Sequence, residues 1–390
     1  MPGSISAPFD YQARTRLIFG TGSVDRVGEL ARELQGTHAL LVTDSGIVAA
    51  GHAERVHECL LKAGLKVSRF DRVEENPTTR HVEECTAAAR NAKVDCILGL
   101  GGGSSMDTAK GCNFIYTNGG KMQDYWGIGK ATRPMLPLIA VPTTAGTGSE
   151  CQSFALIADE KTHAKMACGD SKAAAKVALL DPELTLSQPK RVTACTGIDA
   201  IAHAVESAVT RRRNALSLMY SLQAFKLCHD DFPRVLAEPT NVEARGRMLL
   251  GAALAGTAIE NSMLGAAHSA ANPLTAHFGI VHGQAVGMML PHIIRFNSLD
   301  QASAIAYAEL ASAPEIACLS EGAEQAVSAL IERLEKLLIQ AEMPLRLRDC
   351  GVREDLIQTM AEEAARQWTA HFNPRRISAT DFVEIYRAAF

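Results

Sequence analysis

No two cysteines in this 390-residue chain are spaced C-x-x-C; the 10 Cys stand singly between Cys59 and Cys350. That absence excludes a Cys-based zinc site and a dense disulfide framework, and it suits reduced thiols in the cytoplasm. No charge of one sign dominates, since Lys+Arg 39 against Asp+Glu 43 leaves −4. The basic footprint that nucleic acid or an anionic membrane requires is therefore missing, and Arg211-Arg212-Arg213 is too short to supply it. Long apolar runs are missing too. The nearest candidate, 251–274, is interrupted by Glu260, Asn261, His268 and Asn272, whereas a span needs roughly 18 apolar residues in a row. The opening MPGSISAPFDYQ has neither the basic nor the apolar region of a secretory signal. What is present is 47% hydrophobic residues with little net charge, which excludes disorder. At about 100–200 residues per domain, the length predicts two or three globular domains.

The chain has two grammars. In the first half, strand-like runs at 17–19, 39–42, 66–70, 96–100 and 138–141 alternate with helical patterns at 23–34, 52–63, 80–92 and from the glycines to about 115. This β-α rhythm predicts an α/β domain, a mostly parallel sheet with helices on both faces. From about Ser187 the pattern turns helical, with long runs at 194–208, 215–227, 242–258 and 323–339. Asp181-Pro182 and Gln188-Pro189 punctuate the change, which puts a domain boundary near 181–190.

Gly101-Gly102-Gly103-Ser104 follows an apolar strand and opens a helix, with Asp107 in the first turns. Glycines there let backbone N–H groups approach a ligand, and the helix N-terminus adds orphan donors and partial positive charge, which suits a pyrophosphate. A tight β-α turn with no ligand is the alternative. Pro142-Thr143-Thr144-Ala145-Gly146-Thr147-Gly148-Ser149-Glu150 follows a second buried strand and offers hydroxyls from another side. Asp44 ends the second strand, where a carboxylate accepts from a ribose and repels a 2′-phosphate, favouring NAD over NADP; a helix N-cap fits it nearly as well. In the helical half, Asp199 and His203 stand four apart on one helix face, with His268 and His282 downstream. One carboxylate and three imidazoles suit a borderline divalent ion such as Fe²⁺ or Zn²⁺. By composition, His229, His277 and His292 are equally available, so spacing alone does not select this quartet.

Together these motifs, with Lys110, Asn76-Pro77-Thr78, Asp181-Pro182 and Asn373-Pro374-Arg375, resemble the iron-containing (group III) alcohol dehydrogenases over about residues 11–390. The resemblance implies a Rossmann-like, NAD-binding α/β domain over 1–186 and an all-α metal and substrate domain over 187–390, with cofactor and metal in a cleft between them. It implies Asp199, His203, His268 and His282 as metal ligands. It implies Asp44, Asn76, Gly102, Gly103, Ser104, Asp107, Thr143, Thr144, Thr147, Ser149 and Lys165 as cofactor-binding residues. Many members carry a second His four residues after the third ligand, often assigned to proton transfer; here that position is Asn272, which does not titrate near neutral pH. His277 is a conceivable substitute, so the catalytic candidates are His282, Asn272 and His277. Phe154 and Trp368 fall at positions that narrow the family's substrate pocket. The implied activity is reversible hydride transfer between NAD(H) and a small alcohol or aldehyde, in a homodimer or larger homo-oligomer. A dehydroquinate-synthase-like lyase, a hydroxyacid–oxoacid transhydrogenase and a catalytically silent binding protein are the alternatives on the same scaffold.

Overall fold

Strands in the middle of a parallel sheet are covered on both faces and read as continuous apolar runs. In the computed structural model, which describes residues 8–162 and 164–390, four such runs form the centre of a six-stranded sheet. The strands are β1 (Arg16–Phe19), β2 (His38–Asp44), β3 (Lys66–Val73), β4 (Cys96–Gly101), β5 (Gly127–Ile128), β6 (Leu138–Pro142), β7 (Phe154–Ala158), β8 (Lys165–Gly169) and β9 (Val177–Leu180). The large sheet runs β1-β9-β6-β4-β2-β3, parallel throughout. Period-2 alternation splits its side chains between two cores. Leu41, Leu98 and Ile139 pack with Val27, Leu30, Val56 and Leu60, whereas Leu40, Val42, Ile97 and Ala140 pack with Cys85, Ala89, Met106 and Cys112. Each fully buried Leu or Val there is worth roughly 1.5–3 kcal/mol.

The helices are α1 (Val27–Glu33), α2 (Ser45–Ala49), α3 (His52–Lys62), α4 (Thr79–Ala92), α5 (Gly103–Asn118), α6 (Lys190–Val209), α7 (Ala215–Ala237), α8 (Val242–Ser262), α9 (Ala266–Phe278), α10 (His282–Asn297), α11 (Gln301–Ser312), α12 (Ala323–Gln340), α13 (Ile357–Arg366) and α14 (Ala379–Ala389). The helix expected over 23–34 is split, opening as a 3₁₀ turn at Ser23–Arg26 before α1. A second sheet, β5-β8-β7, has β7 and β8 antiparallel; the β-α reading of the sequence leaves it out. Among the described residues, no helix is long and apolar enough to cross a membrane.

The chain divides into two compact units. One comprises Gln12–Thr144 and Gly148–Gln188 and contains both sheets; the other comprises the segment ending at Tyr11, Ala145–Thr147 and the helical Pro189–Phe390. In the first unit, β2 lies between β3 and β4, so the chain switches direction across the sheet between β2 and β4. Open α/β sheets bind ligands at the carboxyl ends of strands at such a switch point. Asp44 and Gly101 end those two strands.

Candidate active site

In the α/β unit, three loops meet at the carboxyl ends of β2, β4 and β6. Gly101 has φ +141°, and a Cβ on it would lie 2.5 Å from Ser105 Oγ, so only glycine fits where β4 turns into α5. Gly102, Gly103 and Ser104 are half-buried at the N-terminus of α5, whose opening N–H groups have no intrahelical acceptor. The next loop closes on this one. The Thr143 N–H donates to Gly101 O at 2.9 Å, and a Cβ on Gly102 would stand 3.3 Å from Thr144 Cγ2. Asp44 caps α2, its Oδ1 accepting from the Ile47 N–H at 3.0 Å, while Ser105 Oγ approaches Oδ2 at 3.5 Å. The cap accounts for one oxygen of Asp44, and the half-buried carboxylate stays beside the glycine turn.

Other candidates in this unit hold the loops. Lys110, fully buried, donates to Ser149 O at 2.6 Å, Ser149 Oγ at 2.8 Å and Phe154 O at 2.9 Å. Ser149 Oγ donates to Asp107 Oδ1 at 2.8 Å, so Asp107 faces inward as part of this brace, and burial pushes its carboxyl up. Burial raises Glu150 to about 7. Asn76 is exposed at φ +53°, the turn residue before α4, and Lys165 is exposed at the start of β8. Phe154 lies against Gly169 within the small sheet. Thr147 belongs with the helical unit.

The helical unit assembles the second constellation. Asp199 and His203 lie one turn apart on α6, both almost wholly buried; His268 is in the first turn of α9, and His282 opens α10. Asp199 Oδ1 is 3.6 Å from His203 Nε2, 3.5 Å from His268 Nε2 and 3.9 Å from His282 Nε2. Two ligands about 2.1 Å from one tetrahedral ion stand roughly 3.4 Å apart. Asp199, His268 and His282 present ligand atoms within 4.8 Å of one another; His203 is outside that trio, its ring stacked on His268 at a centroid distance of 4.8 Å. Close helix contact makes this possible. A Cβ on Gly283 would stand 2.0 Å from Cys195 O, so glycine lets α10 approach α6 and bring His282 beside Asp199.

The donor chemistry fits a divalent cation. His203 Nδ1 lies 3.2 Å from Gly146 O and His268 Nδ1 lies 2.5 Å from Glu206 Oε2. With a cation bound, a proton on each Nδ1 would satisfy those acceptors and leave each Nε2 lone pair for the ion. Asp199 Oδ1 and His268 Nε2 are buried without a hydrogen-bond partner. Converging buried acceptors are costly until a positive charge joins them. Burial alone would raise Asp199, but His203, His268 and His282 outweigh it and hold the carboxyl well below its usual range. Burial pulls His268 down, yet Glu206 and Asp199 together push it up to about 9. Burial lowers His203.

Asn272, one turn beyond His268 on α9, donates to Gln367 Oε1 at 3.1 Å, beside Trp368, whose ring meets Phe372 edge-on. His277 is not brought to the cluster. It lies nine residues beyond His268, about 13.5 Å along the helix axis, exposed and 2.8 Å from Glu363 Oε2. The sequence reading missed Glu206, although Asp199, His203 and Glu206 are spaced i, i+4, i+7 on one face of α6.

Residues 14–182 match the sequence profile of iron-containing alcohol dehydrogenase, and residues 193–390 match that of the Fe-containing alcohol dehydrogenase family, C-terminal. The chain belongs to the iron-containing alcohol dehydrogenase family. It is 34% identical to the 1,3-propanediol dehydrogenase of Klebsiella pneumoniae over 386 residues, 98% of this chain and 99% of that one. With the NAD-dependent methanol dehydrogenase of Bacillus methanolicus it shares 32% identity over 374 residues, 95% of this chain and 97% of the relative. A crystal structure of 1,3-propanediol oxidoreductase superposes with a TM-score of 0.95 at 33% identity, covering 98% of this chain and 100% of that one. The family's oxidoreductase scaffold thus extends over both units.

Proposed function

We propose that this protein interconverts a small alcohol and its aldehyde with NAD(H), using a divalent ion, Fe²⁺ before Zn²⁺, held by Asp199, His203, His268 and His282. The observation that carries the proposal is the convergence of buried, unpartnered Asp199 Oδ1 and His268 Nε2 with two further imidazoles. When bound, the ion supplies Lewis acidity toward the substrate oxygen and the nicotinamide supplies the hydride acceptor. Gly102, Gly103 and Ser104 present backbone donors to the cofactor pyrophosphate, and Thr143, Thr144, Thr147 and Ser149 line its other side. Asp44 accepts from the adenosine ribose, and Lys165 reaches the ribose on the nicotinamide side. Asn272, held by Gln367, orients substrate or water and cannot take the alcohol proton. That proton leaves to solvent, and His277, occupied by Glu363, is left out of its route. We place the protein in the cytoplasm, where its ten free cysteines stay reduced. We further propose a homodimer or larger assembly, for which Phe19, 48% exposed on the edge strand β1, offers apolar surface.

The test is NADH formation by the metal-loaded protein with short primary alcohols and diols. His268→Ala and Asp199→Ala should lose bound metal and turnover together. Full activity in either variant without metal would overturn the ligand set. Absence of net NADH would favour a cofactor-recycling lyase. Turnover with an oxoacid acceptor and no added NAD would favour a transhydrogenase, and inactivity across alcohols and aldehydes a binding protein.

A further inference from the structure

Glu206, 3% exposed, lies on the same face of α6 as Asp199 and His203 but one turn further from the ligand atoms. Its carboxylate meets two donors from consecutive residues in the first turn of α9. Oε1 accepts from the Ala267 N–H at 2.7 Å, and Oε2 lies 2.5 Å from His268 Nδ1. Gly265 makes the approach possible, because a Cβ there would stand 3.0 Å from Glu206 Oε1. The neighbouring Ala266 N–H has a separate acceptor, Asn373 Oδ1 at 3.3 Å, and Asn373 donates in turn to Asn297 Oδ1 and Arg375 O, each at 2.7 Å. Two buried side chains therefore dock the start of α9, and only Glu206 touches a ring of the proposed metal centre.

We infer that Glu206 is a positioning residue that sets the tautomer of His268, keeping the proton on Nδ1 and the Nε2 lone pair turned to the ion. The inference rests on the metal site proposed above. Only a carboxylate can do this. Glutamine offers one acceptor and one donor, so either orientation of its amide sets a donor against a donor, at Ala267 N–H or at His268 Nδ1–H. Turned the second way, the amide favours the tautomer with the proton on Nε2, which closes the lone pair to a cation. Outer carboxylates that orient ligating histidines are worth about 10–100-fold in metal affinity.

The experiment compares Zn²⁺ affinity, by chelator competition on the full-length protein, for the wild type, Glu206→Gln and Asn373→Ala. Glu206→Gln should weaken binding about 10–100-fold. Asn373→Ala loosens the docking of α9 without touching His268 and should stay within about threefold of the wild type. Equal affinity in Glu206→Gln and the wild type overturns the inference, as does an equal loss in the two variants, which would mark the role as anchorage alone. Nitrogen-15 spectra of Zn²⁺-loaded wild type add a readout that does not depend on a variant folding: His268 should carry its proton on Nδ1, and a bare Nδ1 overturns the assignment. If the wild type itself binds no Zn²⁺ or Fe²⁺, the proposed function fails first and this inference with it.

Discussion

At the scale of single residues, Asp44 caps a helix and is proposed to select the cofactor, two roles that substitution can separate. Its Oδ1 caps α2 through the Ile47 N–H, and asparagine caps a helix about as well as aspartate, so Asp44→Asn should change stability by less than about 0.5 kcal/mol. The charge is another matter. Two unit charges about 4 Å apart repel by roughly 4 kcal/mol at an effective dielectric of 20, and losing a third of that is about tenfold. Asp44→Asn should therefore lower the NAD/NADP ratio of kcat/KM about tenfold with an unchanged melting temperature. An unmoved ratio would remove Asp44 from cofactor selection. Glu150 carries a different liability. Its Oε1 is buried without a partner, Lys110 is the nearby cation, and burial lifts the carboxyl from an ordinary 4.5 to about 7. Between those values the folded state binds more protons than the unfolded one, so this group costs stability as pH rises through 7. Glu150→Gln should be more stable than the wild type at pH 8, by on the order of 1–3 kcal/mol, with the advantage fading toward pH 5. Urea unfolding at the two values measures it, and a pH-independent difference would deny the buried charge.

At the scale of elements, the glycine at the head of α10 is the tightest fit near the proposed metal ligands. A Cβ on Gly283 would meet Cys195 O at 2.0 Å and Asp199 Cβ at 3.2 Å. The obstacle is backbone, so α10 must shift away from α6 and take His282 with it. Gly283→Ala should cost about 1–3 kcal/mol or more in unfolding free energy and reduce metal per chain. Wild-type metal content in that variant would show that His282 is not needed where it stands. The sequence makes such contacts hard to see. Buried strands are legible as continuous apolar runs and long helices by their length and Ala/Leu-rich composition; the predicted runs 39–42, 96–100, 138–141, 194–208, 242–258 and 323–339 lie inside β2, β4, β6, α6, α8 and α12. The small sheet is not legible, since β5 has two residues, β8 opens on the exposed Lys165, and β7 and β8 pair antiparallel, outside the β-α rhythm of the sequence. Helix α7 runs to Ala237, beyond the expected 227, through Pro233 and a polar stretch. Its fully buried Asp231 is paired with Arg234 and Arg247, partners that sequence alone cannot supply. In the candidate site, Asp199 and His203 are local and legible, but the choice of His268 and His282 over other histidines is tertiary. His229 sits between Asp230 and Arg333, and His292 is pushed down to about 4 by burial; neither environment can be read from spacing.

At the scale of the whole molecule, the ion is proposed to join segments far apart in the chain. Its ligands come from α6, α9 and α10, and the last lies 83 positions after the first, from Asp199 to His282. Without an ion, the starts of α9 and α10 face the one carboxylate of Asp199 with no cation to tie them together, so these helix ends should be among the first parts of their unit to open. A ligand that binds only the folded state at 100 times its Kd adds about 2.7 kcal/mol, or roughly 5–10 °C in Tm for a unit of this size. Chelation should lower the melting temperature of the helical unit by about that amount, and readdition of Fe²⁺ or Zn²⁺ should restore it. Hydrogen exchange locates the effect. Metal should slow exchange chiefly in peptides spanning residues 190–209, 266–278 and 282–297, while peptides over β2 and β4 in the other unit stay unchanged until NAD is added. Metal-induced protection spread evenly over both units, or confined to a single helix, would mean that the four side chains do not share one ion.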